Sequence, residues 1–442
     1  MSSLCRELVT IHCGNYANYI GCQWWSLQEI AFHYATSYDK VEKFKDINPD
    51  VTHREGKTLS GDITYTPRVI SLDFKENIGH RPESDLYRVK PIQESELNQC
   101  FDGKADVHKE EVLQESWTKY LSTRYHPKSL ISLNAHQNPI PYQFGYELYA
   151  KHLRDIEDSL YFFVEECDNM QGVILMSDGN SFGGLSEKIN ELLTDEIGVP
   201  VIYSMPIWNN SVGEDYRSSL LNNIFSLSST FQNSSSVLSL ESSMILNFLQ
   251  SNGINELNMD ARTSSIIASF IDTTLLPIRR KENSLTLIDH INDVNVGTKR
   301  LHSGYIKFQT EKNEFGFSVS PQGPSTDKYY SRVFVERGKF DKLTKRDTNL
   351  TKTHEFHNHP LIVNKILNDV LETTNSYELN IEGELTNDAN NVDFLKKLTT
   401  NTSKIDYRRI PAFATLEKDV LDDNLTILNS VIDLYQNRDD MI

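Results

Sequence analysis

The sequence is short of cysteine and of long apolar runs. Its 442 residues include five scattered cysteines and no Cys-x-x-Cys spacing: Cys5, Cys13, Cys22, Cys100 and Cys167. This odd, unpaired set predicts reduced thiols in a cytosol-facing compartment rather than a disulfide framework. No apolar run approaches the roughly 20 residues that a membrane span needs. The N-terminus shows neither a basic-then-apolar leader nor an Arg-rich presequence, so we expect any association with an organelle to be peripheral or mediated by a partner.

Positive charge and the common catalytic motifs are scarce as well. Lys and Arg number 44 against 62 Asp and Glu, which gives a formal net charge of −18 and argues against a nucleic-acid-binding surface. The sequence contains no Gly-Lys-Ser phosphate loop and no H-E-x-x-H pair. A chain of this length with ordinary aromatic content can bury a substantial core, and we expect two domains.

The clearest structural pattern lies between residues 171 and 200. A short apolar run from Gly172 to Ser177 predicts a buried strand, and glycines and small polar residues follow from Asp178 to Gly184. Helical spacing then leads to a second strand at 199–203. Such a strand–loop–helix–strand unit belongs to a parallel sheet and directs backbone N–H groups at the loop. The loop is therefore either an anion or phosphate site, or a tight turn needed only for packing.

A second strand–turn–helix stands near the start of the chain. Residues 7–12 alternate like a strand, Gly14 interrupts the pattern, and helical spacing continues to residue 34. Here Gly14 with Asn15 or Asn18 could approach a phosphate. The strand at 67–74 contains Asp73 near its carboxyl end, which is where an open parallel sheet would hold a phosphate or Mg²⁺ partner.

Two runs resemble known proteins. IHCGNYANYIGCQWW, residues 11–25, is similar to the N-terminal nucleotide-binding signature of the tubulins. REGKTLSGDITYTPR, residues 54–68, more closely resembles the Misato family, tubulin-like proteins linked to mitochondrial distribution and inheritance. The resemblance implies an α/β fold in which a tubulin-like, Rossmann-type parallel sheet domain is joined by a central helix to a smaller α+β domain.

The domain boundaries expected from this resemblance are as follows. Residues 1–250 form the Rossmann-like domain, with a Misato-specific insert at 80–140 made of helices and long loops and anchored by aromatic residues such as Trp117. Residues 251–278 form the central helix, which Pro277 stops. Residues 279–375 form the smaller domain, and residues 376–442 a flexible polar insertion followed by an amphipathic helix. Residues 142–147 are predicted to be a loop at the edge of the sheet.

The resemblance also implies a vestigial nucleotide site, with GTP as its candidate ligand, at Gly14, Asn15, Asn18, Asp73, Gly179, Ser181 and Gly183. The loop reads DGNSFGG where tubulins have GGGTGSG, so that a carboxylate, Asp178, and a bulky Phe182 are introduced. A carboxylate facing phosphates would repel them. Lys75 stands where tubulins have an acidic residue near the metal, and a lysine cannot ligate magnesium.

Catalytic and metal-binding residues are not predicted. Residues 284–293, SLTLIDHIND, lack the glycine and the acidic pattern with which some tubulins activate water. The cluster His354, His357 and His359 offers metal ligands, but no cysteine accompanies it, and a solvated turn is the favoured interpretation.

The function implied by the family is non-enzymatic: the partitioning of mitochondria and the inheritance of mitochondrial DNA. The expected location is the cytosolic face of the mitochondrion and the cytoplasm. Expected partners are the cytosolic chaperonin, mitochondrial surface proteins and, through tubulin-like self-assembly, further copies of the chain, with no nucleic acid. Two alternatives stay open: a divergent GTP-binding or GTPase assembly protein, and a scaffold for the mitotic spindle.

Overall fold

A computed structural model describes residues 6–37, 46–57, 63–79, 116–134, 141–208, 216–253, 259–310, 313–323, 328–339, 350–371 and 378–436. The strands are β1 Glu7–Cys13, β2 His53–Lys57, β3 Ile63–Pro67, β4 Val69–Phe74, β5 Leu130–Leu133, β6 Met170–Asp178, β7 Ile202–Trp208, β8 Ser236–Leu238, β9 Leu240–Glu241, β10 Leu301–Gln309, β11 Glu314–Ser318, β12 Tyr329–Arg337, β13 Thr351–Phe356, β14 Leu361–Ile362 and β15 Glu378–Asp388. The helices are α1 Asn15–Ser37, α2 Lys75–Ile78, α3 Phe144–Glu165, α4 Gly183–Glu191, α5 Tyr216–Asn233, α6 Ser243–Ser251, α7 Met259–Thr274, α8 Leu287–Asn292, α9 Lys365–Leu371, α10 Asn390–Thr402 and α11 Lys418–Gln436.

One large sheet organises the chain. Its main path runs β13-β12-β15-β10-β8-β7-β6-β1-β4-β5, and β9, β11 and β14 pair at its margins. Every neighbouring pair from β5 to β8 is parallel. Strand β10 is parallel to β8 at its start and antiparallel to β15 further along, so it carries the sheet into the C-terminal part of the chain. The predicted α/β class with a parallel sheet is confirmed, whereas the domain boundary near residue 279 stays a prediction.

Both faces of the parallel half are buried, which explains its nearly continuous apolar strands. All seven residues of β1 are buried. Successive side chains of a strand point to opposite faces, and Leu8 accordingly joins the apolar cluster that contains α1 and α7, while Val9 and Ile11 join the cluster that contains α3 and α4. The two layers of helices therefore hold the carboxyl ends of the strands in fixed positions.

The central helix predicted before Pro277 is α7, and it is buried along most of its length. It packs against α1 and against strands β10, β12 and β15. No described helix is long and apolar enough to cross a membrane.

Two segments predicted as a flexible insertion and as a loop form regular elements instead. The described part of the predicted insertion, residues 378–402, contains β15, which lies in the sheet between β10 and β12, and α10, which follows it. The Asn-rich composition hid a period-2 pattern in which Leu379, Ile381 and Leu385 are buried. The expected loop at 142–147 is largely helical, since α3 begins at Phe144.

The C-terminal amphipathic helix is present as α11, whose buried residues are Leu421, Leu428, Ile432 and Tyr435. Of the Misato-specific insert at 80–140, residues 80–115 and 135–140 lie outside the described residues. The described remainder contains short 3₁₀ turns and β5 rather than the predicted helices. Its predicted anchor Trp117 is fully buried in the core.

A buried ionic cluster joins three of these elements. Asp272 of α7 accepts hydrogen bonds from Arg279 Nη2 at 2.7 Å and Arg337 Nη1 of β12 at 2.5 Å. It also accepts one from the indole N–H of Trp24 in α1 at 3.2 Å. Burial alone would raise the pKa of Asp272, but the two guanidinium groups outweigh it and hold the pKa below its ordinary value. The cluster therefore contains a stable carboxylate with two compensating cations.

We expect Asp272→Ala to lower the free energy of unfolding by about 3–5 kcal/mol, because it leaves two buried guanidinium groups without their anion. Urea unfolding followed by circular dichroism measures the loss. Asp406→Ala is the matched control, since it removes an exposed carboxylate paired with Arg409, and it should cost less than about 1 kcal/mol. Equal losses in the two variants would contradict this account of the cluster.

Candidate functional site

The candidate site lies where three adjacent parallel strands end side by side. Strands β6, β1 and β4 are neighbours in the sheet, and their carboxyl ends place Asp178, Gly14 and Asp73 at one edge. The N–H of Gly14 donates to the carbonyl of Leu72 at 3.0 Å, which holds the end of β1 against β4. The structure thus brings the two loops predicted from sequence to one place.

The start of α1 already has an anion, and that anion is Asp178. Its Oδ2 accepts the N–H of Tyr16 at 2.9 Å, and its Oδ1 accepts the N–H of Ala17 at 2.8 Å. These N–H groups belong to the first turn of a helix, where they have no intrahelical partner and attract negative charge. A phosphate at this helix start would need the same donors.

The same carboxylate lies directly against the backbone of Gly14. Its φ of +111° lies in the region that favours glycine. A Cβ added to Gly14 would stand 2.5 Å from Asp178 Oδ2. The absence of a side chain at Gly14 therefore gives room to the aspartate of the chain itself.

The electrostatics of this edge are acidic. Burial raises the pKa of Asp178 well above its ordinary value; the nearby carboxyls of Asp73 and Asp260 raise it further, and the N–H groups of Tyr16 and Ala17 oppose the shift. Burial also raises the pKa of Asp73 to about 7, against hydrogen bonds donated by Asn77, the N–H of Phe74 and Trp117. Ionised, these carboxylates would repel the phosphates of a nucleotide; protonated, they provide no positive charge to bind them.

The backbone N–H groups of Gly179, Ser181 and Phe182, in the loop after β6, donate hydrogen bonds to carbonyl oxygens of the protein itself. The N–H of Gly179 donates to the carbonyl of Ile207 at 3.0 Å. The N–H groups of Ser181 and Phe182 donate to the carbonyl of Asp178 at 3.3 and 2.8 Å. A phosphate-binding loop needs such amides to point at the ligand. These three amides close a turn instead.

The glycines of this loop are explained by close packing. A Cβ on Gly179 would lie 2.5 Å from Asn223 Oδ1, one on Gly183 2.6 Å from the Tyr142 ring, and one on Gly184 2.1 Å from the Tyr142 carbonyl oxygen. The packing interpretation left open by the sequence thus accounts for each of them. The ring of Phe182 is buried, with its centroid 4.9 Å from that of Phe74, so it belongs to the core.

The residues that clamp this loop were not among the predicted site residues. Asn222 of α5 donates from Nδ2 to the carbonyl of Asn180 at 2.5 Å and accepts the N–H of Tyr142 at 3.0 Å. Ser219 donates to Asn180 Oδ1 at 2.8 Å. Adjacent asparagines inside a helix, Asn222 and Asn223, were the available signal, since asparagine favours helix caps and turns over helix interiors.

The remaining residues considered for the site show no contact that would serve a nucleotide. Asn18 Nδ2 donates to the carbonyls of Gly14 and Leu72 at 2.8 and 3.0 Å, so it fastens the turn. Asn15 is half-buried as the first residue of α1, and Lys75 is exposed.

The three histidines of the predicted turn do not converge on a metal site. His354 lies in β13, 3.9 Å from Asp293. His357 stands 3.1 Å from Glu355, and His359 stands 3.9 Å from Asp46. Across the described ranges, no group of three or more His, Cys, Asp or Glu residues could hold a metal ion.

Comparison with known proteins agrees with the geometry. A family model described as Misato Segment II tubulin-like domain matches residues 6–123, and one described as Tubulin domain matches residues 107–280. The chain is thus similar to the Misato family in the first of these segments and to the tubulins in the second. Its large, mostly parallel sheet is of the tubulin-like, Rossmann type.

Named relatives support the same assignment. Mouse protein misato homolog 1 is 26% identical over 351 residues, which cover 66% of this chain and 62% of the mouse protein. Protein misato of Drosophila melanogaster is 27% identical over 353 residues, 64% of this chain and 61% of the fly protein. Danio rerio protein misato homolog 1 is 29% identical over 265 residues, 45% and 44% of the two chains. The chain thus spans less than two thirds of the length of these relatives.

The raised pKa of Asp73 predicts a pH dependence of stability. Its carboxyl holds a proton in the folded state up to about pH 7, whereas the ordinary value is 3.8. Its contribution is therefore complete below about pH 4 and is lost as pH rises to 7, by up to about 1.4 kcal/mol per pH unit. Asp73→Asn should remove this loss, so the wild-type protein should weaken relative to the variant across that window in chemical denaturation.

Asp272→Asn provides the contrast for this measurement. The pKa of Asp272 is held below its ordinary value, so its carboxyl is ionised in both states between about pH 5 and pH 7. The difference between Asp272→Asn and wild type should stay constant in that range. A constant difference for Asp73→Asn as well would contradict the raised pKa.

Proposed function

We propose that this protein is a non-enzymatic, tubulin-like protein that acts in the partitioning of mitochondria and the inheritance of mitochondrial DNA. The Misato resemblance supports the mitochondrial part of the proposal. The observation that carries the non-enzymatic part is the Asp178 carboxylate on the first N–H groups of α1, at the place where a phosphate would bind.

Nucleotide hydrolysis needs bound phosphates, a metal ion and a positioned water. At this site the helix N–H groups and three loop amides have partners within the chain. The segment at 284–293 stands where some tubulins carry a water-activating acid, and it contains α8. Its Asp289 forms a capping box with Thr286 at the start of that helix. These contacts support a scaffold rather than a catalyst.

The proposed mechanism is assembly or partner binding at the cytosolic face of the mitochondrion. The proposed partners are mitochondrial surface proteins, the cytosolic chaperonin as a folding assistant, and further copies of the chain. A strongly acidic protein with a net charge of −18 suits partners with basic surfaces.

We expect purified protein to show no saturable stabilisation by GTP with Mg²⁺. A site with a dissociation constant of about 10 µM would, at about 1 mM GTP, raise the free energy of unfolding by about 2.7 kcal/mol. Thermal unfolding with and without nucleotide measures this, together with phosphate release, and a GTP-binding tubulin serves as the positive control. Micromolar binding with hydrolysis would instead establish the GTPase alternative.

Depletion of the protein from cells should fragment or cluster the mitochondria and lower mitochondrial DNA per cell. Live imaging of labelled mitochondria and quantitative amplification of mitochondrial DNA measure the two effects, and re-expression of the wild-type chain is the control. Normal mitochondria accompanied by misaligned spindles would move the assignment to the mitotic scaffold. Normal mitochondria and normal spindles would remove the family-based proposal.

A further inference from the structure

We propose that Asp178 is a built-in ligand of this site: its carboxylate permanently occupies the anion position at the start of α1 and holds β6 to that helix without any nucleotide. The inference rests on the proposed function in its non-enzymatic part alone and does not need the mitochondrial role.

The contact has the geometry of a bound anion. Each carboxylate oxygen accepts one N–H from consecutive residues, at 2.9 and 2.8 Å. The aspartate is 8% exposed, and the Tyr16 and Ala17 donors are buried as well. Hydrogen bonds from a helix start to a carboxylate are charge-assisted and stronger than neutral ones. The oxygens thus satisfy two donors that would otherwise be buried without a partner.

The contact also connects distant parts of the chain. Asp178 is the last residue of β6, while Tyr16 and Ala17 open α1, more than 160 positions earlier. The link continues, because the hydroxyl of Tyr16 donates to Thr263 Oγ1 of α7 at 2.7 Å. A single path of hydrogen bonds therefore runs from the sheet through α1 to the central helix.

A built-in anion differs from a bound one in a way that matters for regulation. A nucleotide can leave or lose a phosphate, and the contacts that it makes are then released. A carboxylate attached to β6 cannot leave, so the β6–α1–α7 path stays formed at any nucleotide concentration. The contact between β6 and α1 is then independent of nucleotide state.

The test is anion rescue. Asp178→Ala removes the carboxylate and leaves a space of its size, so the variant should have a lower melting temperature than wild type. Sodium formate should raise that temperature relative to sodium chloride at the same ionic strength. At a formate concentration of about one hundred times its dissociation constant, the ratio of folded to unfolded variant should rise about 100-fold. Wild type should not respond, because its own carboxylate fills the position.

Asp178→Asn is the matched control. Its amide fills the same space but offers one acceptor oxygen instead of two, so it should be destabilised without responding to formate. Equal responses of wild type, Asp178→Ala and Asp178→Asn to formate would overturn the proposal, and so would an Asp178→Ala variant as stable as wild type. Either result would leave the depletion phenotype intact and is therefore distinguishable from failure of the proposed function.

Hydrogen exchange tests the proposal without the Asp178→Ala variant, in case that variant does not fold. The amide protons of Tyr16 and Ala17 belong to a first helical turn, where protection from exchange requires a partner outside the helix. Both should be protected in wild type, and in Asp178→Asn, which keeps one acceptor oxygen, at least one of them should exchange at least about tenfold faster. The amide of Thr10 in β1, bonded to the Arg68 carbonyl, is the internal reference. Unprotected amides at Tyr16 and Ala17 in wild type would contradict the built-in ligand.

Discussion

The N–H groups at a buried helix start must find acceptors, and this requirement organises the region where β6, β1 and β4 end. In this chain the acceptors are the two oxygens of Asp178. The positive φ of Gly14 and its missing side chain make room for that carboxylate. The turn that follows directs its amides to the carbonyls of Asp178 and Ile207 instead of outward. One aspartate therefore determines both the backbone around it and what the site can bind, because a second anion would have to displace the first.

Two buried aspartates of this protein show how neighbouring charges decide whether a buried carboxyl group has a lowered or a raised pKa. Asp272 stands between Arg279 and Arg337, and their charges hold its pKa low despite burial. Asp178 has the N–H groups of Tyr16 and Ala17 as donors, and other carboxyls raise its pKa further. The first arrangement is compensated in full and reads as a structural ion cluster. The second places carboxyl groups with raised pKa values together at one edge, an arrangement that is common at functional sites. Here the helix start supplies the compensation, so the acidic edge is explained by structure alone.

Much of the fold was predictable, while the identity of the anion was not. The apolar run before Asp178 and the glycine at position 14 marked two strand–turn–helix units, and the convergence of parallel strands placed them together. The sequence also showed a carboxylate, Asp178, where the tubulin loop has a glycine. It could not show that this carboxylate points at α1, because the contact joins residues more than 160 positions apart. Strand β15 was missed for a related reason: its polar residues gave the composition of a linker, although every second position is buried.

The glycines of the loop after β6 have two possible explanations. A glycine that lets a backbone approach a phosphate and a glycine that lets it approach another segment look identical in sequence. The distances from the missing Cβ atoms separate the two cases. At Gly183 and Gly184 the nearest atoms belong to Tyr142, and at Gly179 to Asn223, so close packing accounts for glycine at these positions with no ligand present. A tubulin-like glycine pattern can therefore be present because the packing needs it, whether or not the loop binds a phosphate.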